Sequence, residues 1–316
     1  MVYNISKGIK MDRFAQFGVP DNFNSLLPDL KAKALKWEAV CYSGTEINNS
    51  TKINYYSVSS PLGDLILSPG LGTNTDIDPL MKMITYWGLT HQHNVITINT
   101  FLGDFLPMPS KEIAERNTYP EFIASLKSSI KFIEPYSLEN KNILIGHSTG
   151  ATGVIDALND MTDKGEKINL FSVMLFAPWA SAQWGQAFKE MVYKRCKSSN
   201  FNNPNKILPV TNMFNSHTGY MNIMPQFITD MDNMPFRPDL MNNWGTYTTI
   251  IAGECDKKAK PEDLQKKFDE LKKQPNHSRF RFIVLPKAKH SFLSIYKDNQ
   301  CAISLIQSQK RFKKGR

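Results

Sequence analysis

The run Lys141 to Ala151, Lys-Asn-Ile-Leu-Ile-Gly-His-Ser-Thr-Gly-Ala, constrains this chain more than any other stretch. Ile143 to Gly146 reads as a short buried strand, Gly146-His147-Ser148-Thr149-Gly150 turns sharply, and Ala151 to Leu158 follows with helical spacing. A serine flanked at i−2 and i+2 by glycine, between a strand and a helix, has the pattern of a nucleophile elbow. The turn brings neighbouring chain so close that a Cβ on Gly146 or Gly150 would clash. The serine is expected in a strained conformation, its hydroxyl clear of the sheet at a helix N-terminus whose dipole favours negative charge. Ser148 is therefore the candidate nucleophile. Alone, the five-residue pattern is most often an ordinary turn; the strand before it and the helix after it give it meaning.

A nucleophilic serine needs a base and a group that orients the base. Tyr247 to Ala252 is β-branched and apolar, reads as a buried strand, and runs into Gly253-Glu254-Cys255-Asp256. Phe280 to Leu285 gives another strand, followed by the loop Pro286-Lys-Ala-Lys-His290-Ser-Phe292. Ser148, Asp256 and His290 thus each fall just past the carboxyl end of a strand, and in a parallel sheet those ends share one edge. Glu254 is a rival for the acid, and Asp256 also reads as a residue ahead of a helix opened by Pro261.

Gly253-x-x-Asp256-x-x-x-x-Pro261 and Leu285-Pro-x-Ala-x-His290-Ser-Phe292 are similar to the acid-bearing turn and histidine loop of α/β-hydrolases. The resemblance covers roughly residues 38 to 305 and is to the serine esterase/lipase group, including monoacylglycerol-lipase-like members. It implies an α/β-hydrolase fold, a mostly parallel sheet covered by helices on both faces. It also implies that Ser148 attacks a carbonyl carbon, His290 takes its proton and Asp256 fixes the histidine tautomer. An oxyanion hole completes such a site. One donor is expected from the N–H of Thr149. The other is expected from the loop Ser68-Pro-Gly-Leu-Gly72 after the strand Asp64 to Leu67, with Leu71 N–H the candidate. Family members often carry His-Gly where this chain has Pro69-Gly70.

The remaining pattern agrees with a βαβ alternation. Trp37 to Tyr42 and Lys52 to Val58 read as early strands, and Val95 to Asn99 and Phe171 to Ala177 as further ones. Pro79 to Gln92, Pro120 to Ile133, Ala151 to Met161, Pro261 to Lys273 and Phe292 to Gln309 read as helices. Residues 1–36 lack a period and are expected to form an irregular arm; 37–177 and 245–309 form the core, and 310–316 a basic tail. The alternation stops over 178–244, where a helical cap inserted after the sixth strand is expected. Met191, Met213, Met221, Met224, Met231, Met234 and Met241 cluster there, half of the chain's 14 methionines, among Trp179, Trp184, Phe227, Phe236 and Trp244. Methionine suits walls that accept several apolar shapes. Trp179, Trp184, Met213 and Met224 are candidate pocket residues, with a Met-rich subdomain core as the equal alternative. His147 reads as structural or pocket-lining and should point away from the serine; Asp104 reads as a solvated loop carboxylate.

The net charge of +9 is largely a matter of the C-terminus, where Lys310, Arg311, Lys313, Lys314 and Arg316 follow the last acid, Asp298. Such a tail suits solvent, or weak contact with an anionic membrane surface. No basic patch carries interleaved aromatics, so nucleic-acid binding is not expected. Cys41, Cys196, Cys255 and Cys301 lack metal-like spacing and suit a reduced chain. Cys255 is expected to pack against the sheet end. With no apolar leader at Met1 to Lys10, the expected location is cytoplasmic. The expected activity is cofactor-free, metal-free cleavage of a small carboxylic ester with an apolar acyl group. Acyl transfer, thioesterase or amidase chemistry at the same site, and a non-catalytic binding protein on the same scaffold, are the alternatives.

Overall fold

The computed structural model describes residues 22–42, 50–70, 75–76, 78–100, 118–139, 141–178, 208–211, 220–223, 227, 230–231 and 233–292. Helix α1 (Phe23–Ala34) opens them and leads directly into β1 (Leu35–Tyr42). The expected irregular arm is thus helical in its last part. The helix carries Pro28 in its interior and has no side-chain cap, both unfavourable for a helix. Packing overrides them: Phe23 and Leu27 are buried, and the Phe23 ring meets Tyr86 edge-on at 5.7 Å.

There follow β2 (Ser50–Tyr56), β3 (Gly63–Ser68), α2 (Pro79–Thr90), β4 (His93–Asn99) and α3 (Tyr119–Ile133). Next come β5 (Asn142–His147), α4 (Thr149–Asp163), β6 (Ser172–Phe176), β7 (Leu208–Thr211) and β8 (Tyr220–Ile223). Helix α5 (Pro238–Asn242), β9 (Tyr247–Gly253), α6 (Pro261–Leu271) and β10 (Phe280–Leu285) close the series. Eight strands form one sheet in the order β1-β2-β4-β3-β5-β6-β9-β10. Strand β2 pairs antiparallel with both neighbours, and every pairing from β4 to β10 is parallel. Every residue of β3, β4, β5 and β6 is buried, so both faces of the sheet centre are covered. That explains why Leu65 to Leu67, Ile143 to Ile145 and Val173 to Phe176 are unbroken apolar runs instead of alternating ones.

Local chemistry sets the helix starts. Asp78 caps α2 by accepting from the N–H groups of Leu80 and Met81, with Pro79 in the first turn. Thr118 caps α3 in the same way, accepting from Glu121 N–H ahead of Pro120. Among the described residues no helix is long and apolar enough to cross a membrane.

Of the expected helical cap between β6 and β9, only a part falls among the described residues. Its described residues include an antiparallel ribbon, β7 with β8, besides the short α5. Four-residue strands, one carrying Pro209, are too short to announce themselves by periodicity. Phe227 stands edge-on to Tyr119 of α3 at 5.3 Å, and Trp244 donates from Nε1 to Asn159 of α4 at 3.0 Å. Phe227, Met231, Met241 and Trp244 are buried in the main hydrophobic core, so these members of the Met-aromatic set pack rather than line a pocket. Trp179, Trp184, Met213, Met224, Asp104, the tail and all but the first residue of the expected closing helix lie outside the described residues.

One core group carries a pH signature. Tyr119 donates its hydroxyl to Asp156 Oδ2 at 2.5 Å between α3 and α4. Burial raises the Asp156 carboxyl from 3.8 to about 6, against the opposing pull of the Tyr119 hydrogen bond. Folded Asp156 therefore keeps a proton that the unfolded chain releases. Its stabilising contribution is full below pH 4 and is lost as pH rises through about 6, a change of about 3 kcal/mol. Asp156→Asn, which cannot ionise, should remove most of that loss. Urea denaturation at pH 4 and pH 8 checks this; equal pH dependence in both proteins would contradict it.

Candidate active site

Strand β5 delivers Ser148 onto the carboxyl edge of the sheet in a strained conformation, φ 53° and ψ −124°. The surroundings hold it there: Ser148 N–H donates to Phe176 O at 2.9 Å, and Thr152 N–H donates to Ser148 O at 3.1 Å. A Cβ on Gly146 would lie 2.6 Å from Ala151 Cα, and one on Gly150 would enter the carbonyl oxygens of Ser68 and Pro69. Backbone, which cannot swing aside, thus excludes side chains at both positions.

The turn after β9 and the loop after β10 are fastened to each other. Cys255 N–H donates to Ala288 O at 2.8 Å, and Glu254 N–H donates to Leu285 O at 3.0 Å. A Cβ on Gly253 would sit 2.5 Å from Ala288 O, so only glycine permits this approach. The Cys255 side chain is exposed, not packed on the sheet end as expected, because its backbone makes the inward contact. The loop turns through left-handed residues at Lys287 (φ 58°) and Phe292 (φ 52°). Phe292 is buried and anchors the loop edge-on against Phe176 at 5.4 Å.

These contacts bring together three side chains far apart in sequence. His290 Nε2 lies 2.8 Å from Ser148 Oγ, and His290 Nδ1 lies 2.9 Å from Asp256 Oδ2. The other Asp256 oxygen, Oδ1, accepts from the N–H groups of Lys258 at 2.8 Å and Ala259 at 3.0 Å, which fixes the carboxylate plane. Glu254 has a different contact: its Oε2 accepts from Lys287 N–H at 2.8 Å on the outside of the loop. Burial pushes the His290 imidazole down; Asp256 pulls it up, while His147 and Lys258 push it down again. The net position is below the ordinary 6.5, so the ring is neutral at pH 7 and free to accept a proton. Burial also lowers the Lys258 ammonium to about 8, with Asp256 opposing.

Thr149, the first residue of α4, is buried directly beside the serine, and its position in the first turn gives its N–H no acceptor within the helix. The loop after β3 approaches the serine from the other side: a Cβ on Gly70 would lie 3.1 Å from Ser148 Cβ. Leu71 itself lies outside the described residues. Among those described, no group of three His, Cys, Asp or Glu side chains could hold a metal ion.

Two residues acquire a place that sequence reading did not give them. His147 is buried beneath the site, with Nδ1 2.6 Å from Asp78 Oδ2 and Nε2 2.9 Å from the main-chain oxygen of His290. Its side chain thus reaches the histidine loop. In the sequence Asp78 is simply the residue before the helix-opening Pro79. A contact across 69 residues leaves no local signal.

No protein-family model and no curated protein matches this chain. Solved structures do. Est1E from Butyrivibrio proteoclasticus superposes with a TM-score of 0.55 at 9% identity, over 86% of this chain and 99% of that one. The α/β hydrolase GrgF from Penicillium sp. sh18 gives 0.56 at 15% identity, over 86% and 98%. A Pyrococcus furiosus esterase gives 0.56 at 13% identity, over 92% and 95%. At these identities the likeness is one of fold, and with the strand order and parallel pairing it leads to one conclusion: this chain has the α/β-hydrolase fold.

Proposed function

We propose that the protein is a serine hydrolase that cleaves carboxylic esters through an acyl-enzyme. The observation that carries this reading is the continuous hydrogen-bonded chain from Ser148 through His290 to Asp256. A neutral His290 takes the Ser148 proton as Oγ adds to the ester carbonyl carbon. The oxyanion that forms is held by Thr149 N–H and, in this proposal, by Leu71 N–H from the loop after β3. The tetrahedral adduct collapses, its C–O bond breaks, and the imidazolium returns the proton to the departing alkoxide. Water then repeats the sequence on the acyl-serine, losing a proton to His290 and releasing the acid. Asp256, locked by two backbone donors, keeps Nδ1 protonated and Nε2 free to act. No step calls for a metal or organic cofactor.

The substrate is a small ester with an apolar acyl group. Two things support this part: the presence of Trp179, Trp184, Met213 and Met224 in the segment between β6 and β9, and a solved form of Est1E that has ferulic acid, an aromatic carboxylic acid, bound to it. Turnover of nitrophenyl esters from acetate to decanoate tests the proposal. Each buried methylene should contribute about 0.8 kcal/mol, roughly a fourfold gain in kcat/KM, until the pocket is filled. A flat series would remove the apolar preference, and no turnover of any ester would remove the hydrolase reading. Added alcohol or amine, scored by products, separates acyl transfer from hydrolysis.

A further inference from the structure

We propose that Asp78 and His147 form a second aspartate–histidine pair, a buried imidazolium that clamps the main chain of the histidine loop and positions His290 as the base. The kinetic consequences rest on the ester-hydrolase reading; the pair itself does not.

Counting donors and acceptors fixes the protonation. His147 Nε2 faces the carbonyl oxygen of His290 at 2.9 Å, and a carbonyl only accepts, so Nε2 carries a hydrogen. His147 Nδ1 faces Asp78 Oδ2 at 2.6 Å. The second Asp78 oxygen, Oδ1, accepts from Leu80 N–H at 3.0 Å and Met81 N–H at 3.2 Å, and the carboxylate also receives Gly70 N–H. A carboxylate at a helix N-terminus with three backbone donors is stabilised in its ionised form. The remaining proton therefore belongs on Nδ1, and the ring holds two. Burial opposes the charge on this ring, but Asp78, the His290 carbonyl and Asp256 outweigh it and hold His147 above its ordinary range. Burial likewise opposes the charge on Asp78, and His147 with the Met81 and Gly70 N–H groups holds it below.

Three consequences follow for the site. The bond to His290 is made at that residue's own peptide oxygen, so it restrains the ring that faces Ser148. Asp78 holds Gly70 at the same time, which ties the loop after β3 to the loop after β10 through one side chain of β5. The positive ring of His147, 5.6 Å from the His290 ring, disfavours protonation of the base. The groups facing the two histidines are Asp78 from the α2 start, Asp256 and Lys258 from the acid turn, and Phe292 edge-on at 5.9 Å from His147. His147 touches no reacting atom; it is a positioning residue.

The test has two arms. In the intact wild-type protein at pH 7, nitrogen-15 NMR of the histidine rings should show one ring protonated on both nitrogens. That signal is assigned by its loss in His147→Gln, and it should persist above the ordinary histidine range. A neutral His147 ring at pH 7 would overturn the proposal, whatever the variants do. In the kinetic arm, His147→Gln keeps an N–H donor for the His290 carbonyl but removes the charge. The acid limb of kcat/KM should then move to higher pH by about half to one unit, the size expected for one charge about 6 Å away in a partly hydrated site. Asp78→Asn should shift the limb in the same direction and lower kcat about ten- to a hundredfold with KM little changed, as loosening of an aligned base would. An unmoved limb in both variants would overturn the positioning role. A wild-type protein that turns over no ester would defeat the hydrolase reading, and the ring spectrum would still decide the pair.

Discussion

Ser148→Ala is expected to lower kcat/KM for an activated ester by about four to six orders of magnitude while leaving the fold intact. The substitution removes the hydroxyl oxygen that lies 2.8 Å from His290 Nε2 and is proposed to add to the carbonyl. It leaves the elbow standing, because Ser148 N–H and its carbonyl make the contacts that hold the strained turn. The residual rate measures what the Thr149 donor and substrate binding achieve without a nucleophile. A variant that kept even a tenth of wild-type activity would show that another group attacks. Steady-state kinetics on the longest ester that remains soluble, beside a circular dichroism spectrum, separates lost chemistry from lost structure.

Asp256→Asn is expected to cost about three to four orders of magnitude, and Glu254→Gln less than tenfold. The asymmetry follows from what each carboxylate touches. Asp256 uses one oxygen for the Lys258 and Ala259 N–H groups and the other for His290. An asparagine amide satisfies one side only by presenting its NH2 to the other. If the NH2 meets His290 Nδ1, the ring takes the wrong tautomer; if it meets the two backbone donors, the acid turn opens. Glu254 only braces Lys287 on the exposed side of the loop. Parallel kcat measurements on the two variants decide the matter, and greater damage from Glu254→Gln would move the acid role to it.

How far the sequence carries the fold depends on the range of the interactions that made each element. The elbow is legible because a strand, two glycines and a helix start within eleven residues are all local. The parallel core is legible because strands buried on both faces keep apolar runs at their centres, Leu65 to Leu67, Ile143 to Ile145 and Val173 to Phe176, with their polar residues mostly at the ends. The order of Ser148, Asp256 and His290 is legible because each lies just past a strand end. Helix α1 is not, since Pro28 and the missing cap argue against it locally and only contact with α2 overrules them. The β7–β8 ribbon is too short for a period, and the outward turn of Cys255 follows from a backbone contact to Ala288 that composition cannot express. The Asp78–His147 contact is the furthest from view. Each residue has an adequate local explanation, a helix cap and a strand-end histidine, and nothing in the linear text joins them.

The central claim is that Ser148 is a nucleophile activated by His290, and a fluorophosphonate probe tests it most directly. Mass spectrometry of the digested protein should place a single phosphonyl adduct on the peptide containing Ser148, absent from Ser148→Ala and strongly slowed in His290→Ala. An adduct on a different residue, or labelling that survives in Ser148→Ala, would contradict it.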